Sequence, residues 1–113
     1  MIVPVAATAP PPPPARVLVM ADEWSLVPSR TVLVAGAAIV QLANVGEDDH
    51  DVLLRRLDAA GKPTGPATRI GPLHPDARGE ARLRLRTGRY RLVCTLGDHA
   101  SRGMRTTLRV RAR

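Results

Sequence analysis

Cys94, His99 and Met104 fall in one short stretch, CTLGDHASRGM, and four residues separate each from the next. A thiolate, an imidazole and a thioether are donors for a soft or borderline metal ion. Two histidines and a cysteine with a weak axial methionine are the preferred set for blue copper. That set needs a second imidazole, and the chain offers His50 and His74. His50 opens a candidate strand directly after the turn at 44–49. In a two-sheet sandwich, strand starts and loops gather at the ends, so it can reach Cys94. His74 stands between Leu73 and Pro75 in a segment rich in glycine and proline, and reads as an ordinary exposed loop residue. Each donor alone has a plainer explanation. A lone buried cysteine is usually a small hydrophobe and a methionine a gap-filler. The argument rests on the combination. A Cys–His hydrolase would use the same pair, but it requires an oriented base, an oxyanion hole and a cleft. No such pattern is present in the sequence, and we expect no enzyme.

The elements that must position these residues read as strands and turns. Val17–Met20 and Thr31–Val34 are short apolar runs, the second closed by Ala35-Gly36. Residues 37–43 (AAIVQLA) end at the turn Asn44-Val45-Gly46, and His50–Leu57 reads as a further strand. Residues 58–75 hold four prolines and three glycines and are expected to be mostly loop. Residues 81–86 (ARLRLR) alternate apolar and basic, the period of a half-buried strand. After the turn Thr87-Gly88, Tyr90, Leu92 and Cys94 share one strand face, with Arg89 and Arg91 on the other. Leu108, Val110 and Ala112 alternate with arginines in a last strand. No stretch has a capped 3.6-residue periodicity. The expectation is an all-β Greek-key sandwich or barrel.

At 113 residues the chain suits one domain. Aromatic residues make up 2 % and phenylalanine is absent, so the core must be aliphatic. A single cysteine excludes an internal disulfide. The formal net charge is +7, carried by arginine, with Lys62 the only lysine. Such a field favours acidic partners or anionic surfaces. Nucleic acid is not expected, because stacking aromatics and every recognition motif are missing. Arg82, Arg84 and Arg86 are expected to form one basic field with Arg89 and Arg91 on a paired strand. The first fifteen residues, with prolines at 10–14, read as a disordered spacer or as the remnant of an export signal. The triplet Ala7-Thr8-Ala9 has the small-x-small form of a cleavage site. The domain proper is expected over 16–113.

ADEWSLVP followed by VLVAG, the run IVQLANVGEDDHDVLL, and TGRYRLVCTLGDHASRGMRTTLRV resemble the cupredoxins, the type 1 blue copper proteins. An N-x-G turn leads to the first ligand histidine of that family, carried here by Asn44, Gly46 and His50. A G-x-Y-x-x-x-C strand leads to the thiolate, carried by Gly88, Tyr90 and Cys94. The remaining ligands map to His99 and Met104, with a loop spacing similar to rusticyanin and sulfocyanin. Asp51 departs from the asparagine or serine common after the first histidine, so its side chain would tie the site differently. The Asp51 backbone N–H stays available to the thiolate. Trp24 stands where the family often has another aromatic residue and is expected in the core.

The resemblance implies a mononuclear copper protein, one Cu(I)/Cu(II) ion per chain, that carries single electrons between redox partners. The metal ligands would be His50, Cys94, His99 and axial Met104. It implies a monomer, an extracytoplasmic location in the periplasm or on the outer face of the membrane, and a redox protein partner. The net charge adds that this partner is acidic. A membrane anchor upstream of the proline spacer would hold the domain near a bilayer. Leu96, Gly97, Ala100 and Gly103 are expected to form a small apolar docking patch around His99. The alternative is a copper-binding or copper-delivery protein, or a non-redox module of a larger assembly, using the same site.

Overall fold

The computed structural model describes residues 2–5 and 9–113. The first two residues of the cleavage-like triplet at 7–9 lie outside them. Nine strands and one short helix follow in the order β1 (Ala15–Asp22), β2 (Ser25–Pro28), β3 (Val32–Val34), β4 (Gly36–Asn44), β5 (His50–Leu57), β6 (Pro63–Leu73), β7 (Arg78–Leu85), β8 (Gly88–Val93), α1 (His99–Arg102) and β9 (Arg105–Arg111). They form two sheets, of order β2-β1-β4-β7 and β3-β9-β8-β5-β6. Strand β1 runs parallel to β4 and β3 parallel to β9, while the remaining pairs are antiparallel.

The inner faces follow the period-two pattern of the sequence. Val17, Val19 and Ala21 of β1 and Val40 and Leu42 of β4 meet Val52 and Leu54 of β5, Leu92 of β8 and Leu108 and Val110 of β9 in one aliphatic core. Fully burying a valine or leucine contributes about 1.5–3 kcal/mol relative to exposure, so this layer sets the rigidity of the whole. Tyr90 closes its lower end. Its hydroxyl accepts the backbone N–H of Arg86 at 2.9 Å and pins the turn between β7 and β8.

Three expectations change. The segment at 58–75 is not mostly loop. Its larger part is the eleven-residue strand β6, which pairs with β5 through two register shifts. Its prolines are tolerated because β6 is an edge strand, where backbone N–H groups facing away from β5 have no partner to lose. Strands β7 and β8 do not pair. β7 bonds β4 in one sheet, while β8 bonds β5 and β9 in the other. The arginines of the two strands therefore lie on opposite outer faces of the sandwich and do not form a single field. Ala112 falls beyond the end of β9 and is exposed.

Candidate metal centre

The site is built at one end of the sandwich, where three chain segments leave the sheets. His50 is the first residue of β5 and wholly buried. Cys94 follows the last residue of β8, and inward alternation from Tyr90 and Leu92 points its thiol into the core. His99 opens α1, and Met104, fully buried, precedes β9. The loop folds on itself through its backbone. Cys94 N–H donates to Met104 O at 3.0 Å, Met104 N–H to His99 O at 3.1 Å, and His99 N–H to Leu96 O at 3.0 Å. Three donors that are close in sequence are thus held close in space. Gly103 makes the reversal possible. Its φ is +127°, and a Cβ there would sit 2.8 Å from the carbonyl oxygen of Trp24.

The donor atoms of His50, Cys94 and His99 all lie within 4.8 Å of one another. Nδ1 of His50 is 3.2 Å from Nδ1 of His99, and Sγ of Cys94 is 3.5 Å from the same nitrogen. Two imidazole nitrogens and a sulfur facing a common point present lone pairs that repel unless a proton or a cation stands between them. This borderline-to-soft donor set suits copper or zinc and excludes the oxygen-preferring cations. His74 takes no part. It is exposed and bonds Asp49 Oδ1 at 3.0 Å, as expected of a loop histidine.

Glu23, to which the sequence assigned no role, orients His50. Oε1 of Glu23 accepts from Nε2 of His50 at 2.8 Å. The same carboxylate accepts the backbone N–H groups of Glu47 and Asp48. The Asp48 amide is the largest cause holding the Glu23 carboxyl down at about 2; desolvation opposes this, and the Glu47 amide and His50 add to it. With Glu23 ionised, Nε2 carries the hydrogen and Nδ1 keeps its lone pair toward Cys94 and His99. Gly46 leaves room for this cradle, since a Cβ there would collide with the carboxylate of Glu23. Buried Asn44 shapes the loop, donating from Nδ2 to Asp48 O and Leu73 O and accepting Gly46 N–H at Oδ1. The N-x-G turn thus does the positioning expected of it.

Asp51 ties the second side. Its buried carboxylate accepts the backbone N–H and the hydroxyl of Thr95 and an ion pair from Arg69 at 2.7 Å. Burial disfavours its charge, but the Thr95 and Arg69 hydrogen bonds outweigh that and leave its carboxyl below the ordinary range. Burial pushes the Cys94 thiol up. Nearby backbone N–H groups of Asp51 and Leu96 pull the other way, and the Asp51 carboxylate adds to the rise.

Trp24 packs against the edge of the core, as expected, and also reaches the metal-site loop. It is half-buried and packs against His99 with ring centroids 4.9 Å apart, and the Arg102 guanidinium covers its ring at 4.7 Å from the centroid. Arg102 is held by Asp98 at 2.8 Å. His99 keeps 13 % of its side chain exposed, against none for His50. Leu96 and Ala100 are half-exposed and Gly97 and Gly103 exposed beside it. The charge at this end is acidic. Glu47, Asp48, Asp49 and Asp98 are exposed on its loops, and Nε2 of His99 lies 3.7 Å from Asp48 Oδ2. The +7 surplus therefore sits elsewhere on the molecule.

No protein-family model matches the chain, and no curated protein matches it by sequence. Solved structures do match by shape. A dithionite-reduced auracyanin from Roseiflexus castenholzii has a TM-score of 0.63 at 14 % identity, covering 85 % of this chain and 96 % of that one. Auracyanin A from Chloroflexus aurantiacus, a blue copper protein, has a TM-score of 0.61 at 15 % identity, covering 88 % and 100 %. Reduced rusticyanin has a TM-score of 0.61 at 16 % identity, covering 85 % and 78 %. Identities this low establish architecture and nothing finer. The similarity of shape extends over 85–88 % of this chain. The chain has the cupredoxin fold, a Greek-key β-sandwich, with the donor atoms of His50, Cys94 and His99 gathered at one end.

Proposed function

We propose that this protein is a type 1 copper protein and a carrier of single electrons, with residues 16–113 as the working domain. The observation that carries this reading is the convergence of His50, Cys94 and His99 donor atoms within 4.8 Å at the buried end of a rigid sandwich. One copper ion per chain would be held by those three residues and Met104. When bound there it would supply one-electron chemistry between Cu(I) and Cu(II).

The chain's own residues do the rest. Thiolate and thioether favour the reduced ion, and imidazole suits both states. Glu23 and Asp51 hold His50 and the Cys94 loop from opposite sides, so the donors need not move between states. His99, the less buried imidazole, is the point of contact for a partner. Leu96, Gly97, Ala100 and Gly103 form the apolar patch around it. Transient redox interfaces are small, and charge steers their encounter. The exposed acids around this patch suit a cationic partner rather than the acidic one that the net charge suggested.

The carrier works as a monomer outside the cytoplasm, and the proline segment spaces it from whatever precedes it. Among the described residues no helix is long and apolar enough to cross a membrane. Cell fractionation with N-terminal sequencing tests the location, and recovery in the cytoplasm with Met1 retained refutes it.

The visible spectrum of copper-loaded protein tests the central claim. Charge transfer from the Cys94 thiolate should give an intense colour, lost in Cys94→Ala and kept in His74→Ala. A colourless one-to-one Cu(II) complex overturns the reading. Release of copper on reduction, in place of reversible voltammetry, would identify a delivery protein instead.

A further inference from the structure

We infer that the outer face of the five-stranded sheet docks onto an anionic phospholipid bilayer. Inward Leu54, Tyr90, Leu92, Leu108 and Val110 put the alternate residues of β5, β8 and β9 outside. Arg55, Arg89, Arg91, Arg105, Arg109 and Arg111 thereby share one face. Among the described residues none of them forms an ion pair. Arg69, on the same face, is the exception and is held by Asp51.

The register places arginines directly opposite each other, Arg55 beside Arg91 and Arg89 beside Arg109. Like charges in directly opposed positions destabilise an antiparallel pair, and a face shaped only for water intersperses both signs. Composition does not explain the segregation. Of the ten acidic residues, all but Asp58 and Glu80 lie at the metal-site end, on its loops or strand ends. The opposite sheet also exposes Arg16, Arg78, Arg82 and Arg84, but there Arg82 is paired with Glu80 and each arginine stands opposite an apolar residue. The unpaired, mutually opposed arginines belong to the five-stranded sheet, with the acids at the end.

The chemistry of the face selects its occupant. A protein partner would need an apolar or aromatic centre to desolvate, and the face offers no aromatic, only half-buried Leu53 and Val93 between the arginines. Single-stranded nucleic acid would need stacking rings. Phospholipid phosphates are separate and laterally mobile. Each guanidinium can take one through its planar donor fork without shape matching. Docked by this face, the sandwich lies with its strands along the bilayer. The acidic end, repelled by the surface, then presents His99 sideways to a membrane partner. The docking itself does not depend on the metal.

Co-sedimentation of the full chain with vesicles decides this. Binding is expected to phosphatidylcholine vesicles containing about one third phosphatidylglycerol and not to phosphatidylcholine alone, and it should be lost at high salt. Each arginine near such a surface is worth about fivefold in affinity. Arg89→Glu with Arg91→Glu should weaken binding by about 25-fold or more. Arg82→Glu with Arg84→Glu makes the same change in net charge on the opposite sheet and should leave affinity within about threefold. If the glutamates disturb the sheet by circular dichroism, Arg89→Gln with Arg91→Gln serves, with about 25-fold expected. Equal losses from the two faces, no binding to the anionic vesicles, or binding to heparin or an acidic protein without binding to vesicles would each overturn the inference.

Discussion

Oε1 of Glu23 and Nε2 of His50 are 2.8 Å apart, and the contact joins the end of β1 to the start of β5 across 27 residues of sequence. It settles which ring nitrogen of His50 faces Cys94 and His99. A carboxylate behind a metal-binding histidine fixes its tautomer and raises its basicity. Here the carboxylate is itself fixed, by backbone N–H groups of the loop that delivers His50.

Removing that orienting group should weaken the metal centre without unfolding the sandwich. Glu23→Ala is expected to lower copper affinity by about 10- to 100-fold. A competition titration measures it. In the metal-free protein, ¹⁵N chemical shifts should show His50 losing its single tautomer. Unchanged affinity and tautomer would leave Glu23 a loop fastener only.

The Asp51 carboxylate is buried and serves Thr95 and Arg69 together. Asp51→Ala leaves the Thr95 amide without its acceptor and Arg69 without its counter-charge. Breaking a buried pair costs about 3–5 kcal/mol. Arg69 is 47 % exposed and recovers hydration, so about 2–3 kcal/mol is expected. Urea unfolding of the metal-free variant measures the loss.

Met104→Gln replaces a thioether by an amide oxygen, a donor that favours Cu(II) over Cu(I). The colour should persist and the reduction potential fall. Voltammetry showing an unchanged or higher potential would remove Met104 from the ligand set.

Acid should destabilise the metal-free fold in a defined window. The Glu23 carboxyl is lowered from 4.5 to about 2, chiefly by the Asp48 amide against desolvation. Folding therefore favours its charged form. The contribution is complete above pH 4.5 and disappears as pH falls toward 2. Thermal melts across this range should show a falling Tm, and Glu23→Gln should flatten the slope.

Much of the site was legible because it is local. Cys94, His99 and Met104 are brought together by one loop whose backbone bonds span few residues. The inward set Tyr90, Leu92 and Cys94 follows from strand alternation alone, as does the outward placing of Arg89 and Arg91. His50 could be placed at the same end because strand starts in a sandwich collect there. By contrast, β6 was hidden, because its prolines and glycines read locally as turns and only its edge position makes them tolerable.

The sequence by itself determined the alternation of inward and outward residues, the aliphatic core and the donor loop. Each of these depends on neighbours a few positions apart. Tertiary structure alone decided which strands pair. It sent β7 and β8 to different sheets and so divided the arginines between two faces. It also decided that Glu23 and Asp51 stand behind the donors and that Trp24 bridges the core edge and His99. Strand periodicity carries no record of partners, and a carboxylate brought across the sandwich leaves no local spacing to read. Those choices depend on which packing buries the most apolar surface while satisfying every buried polar group, which no single segment contains.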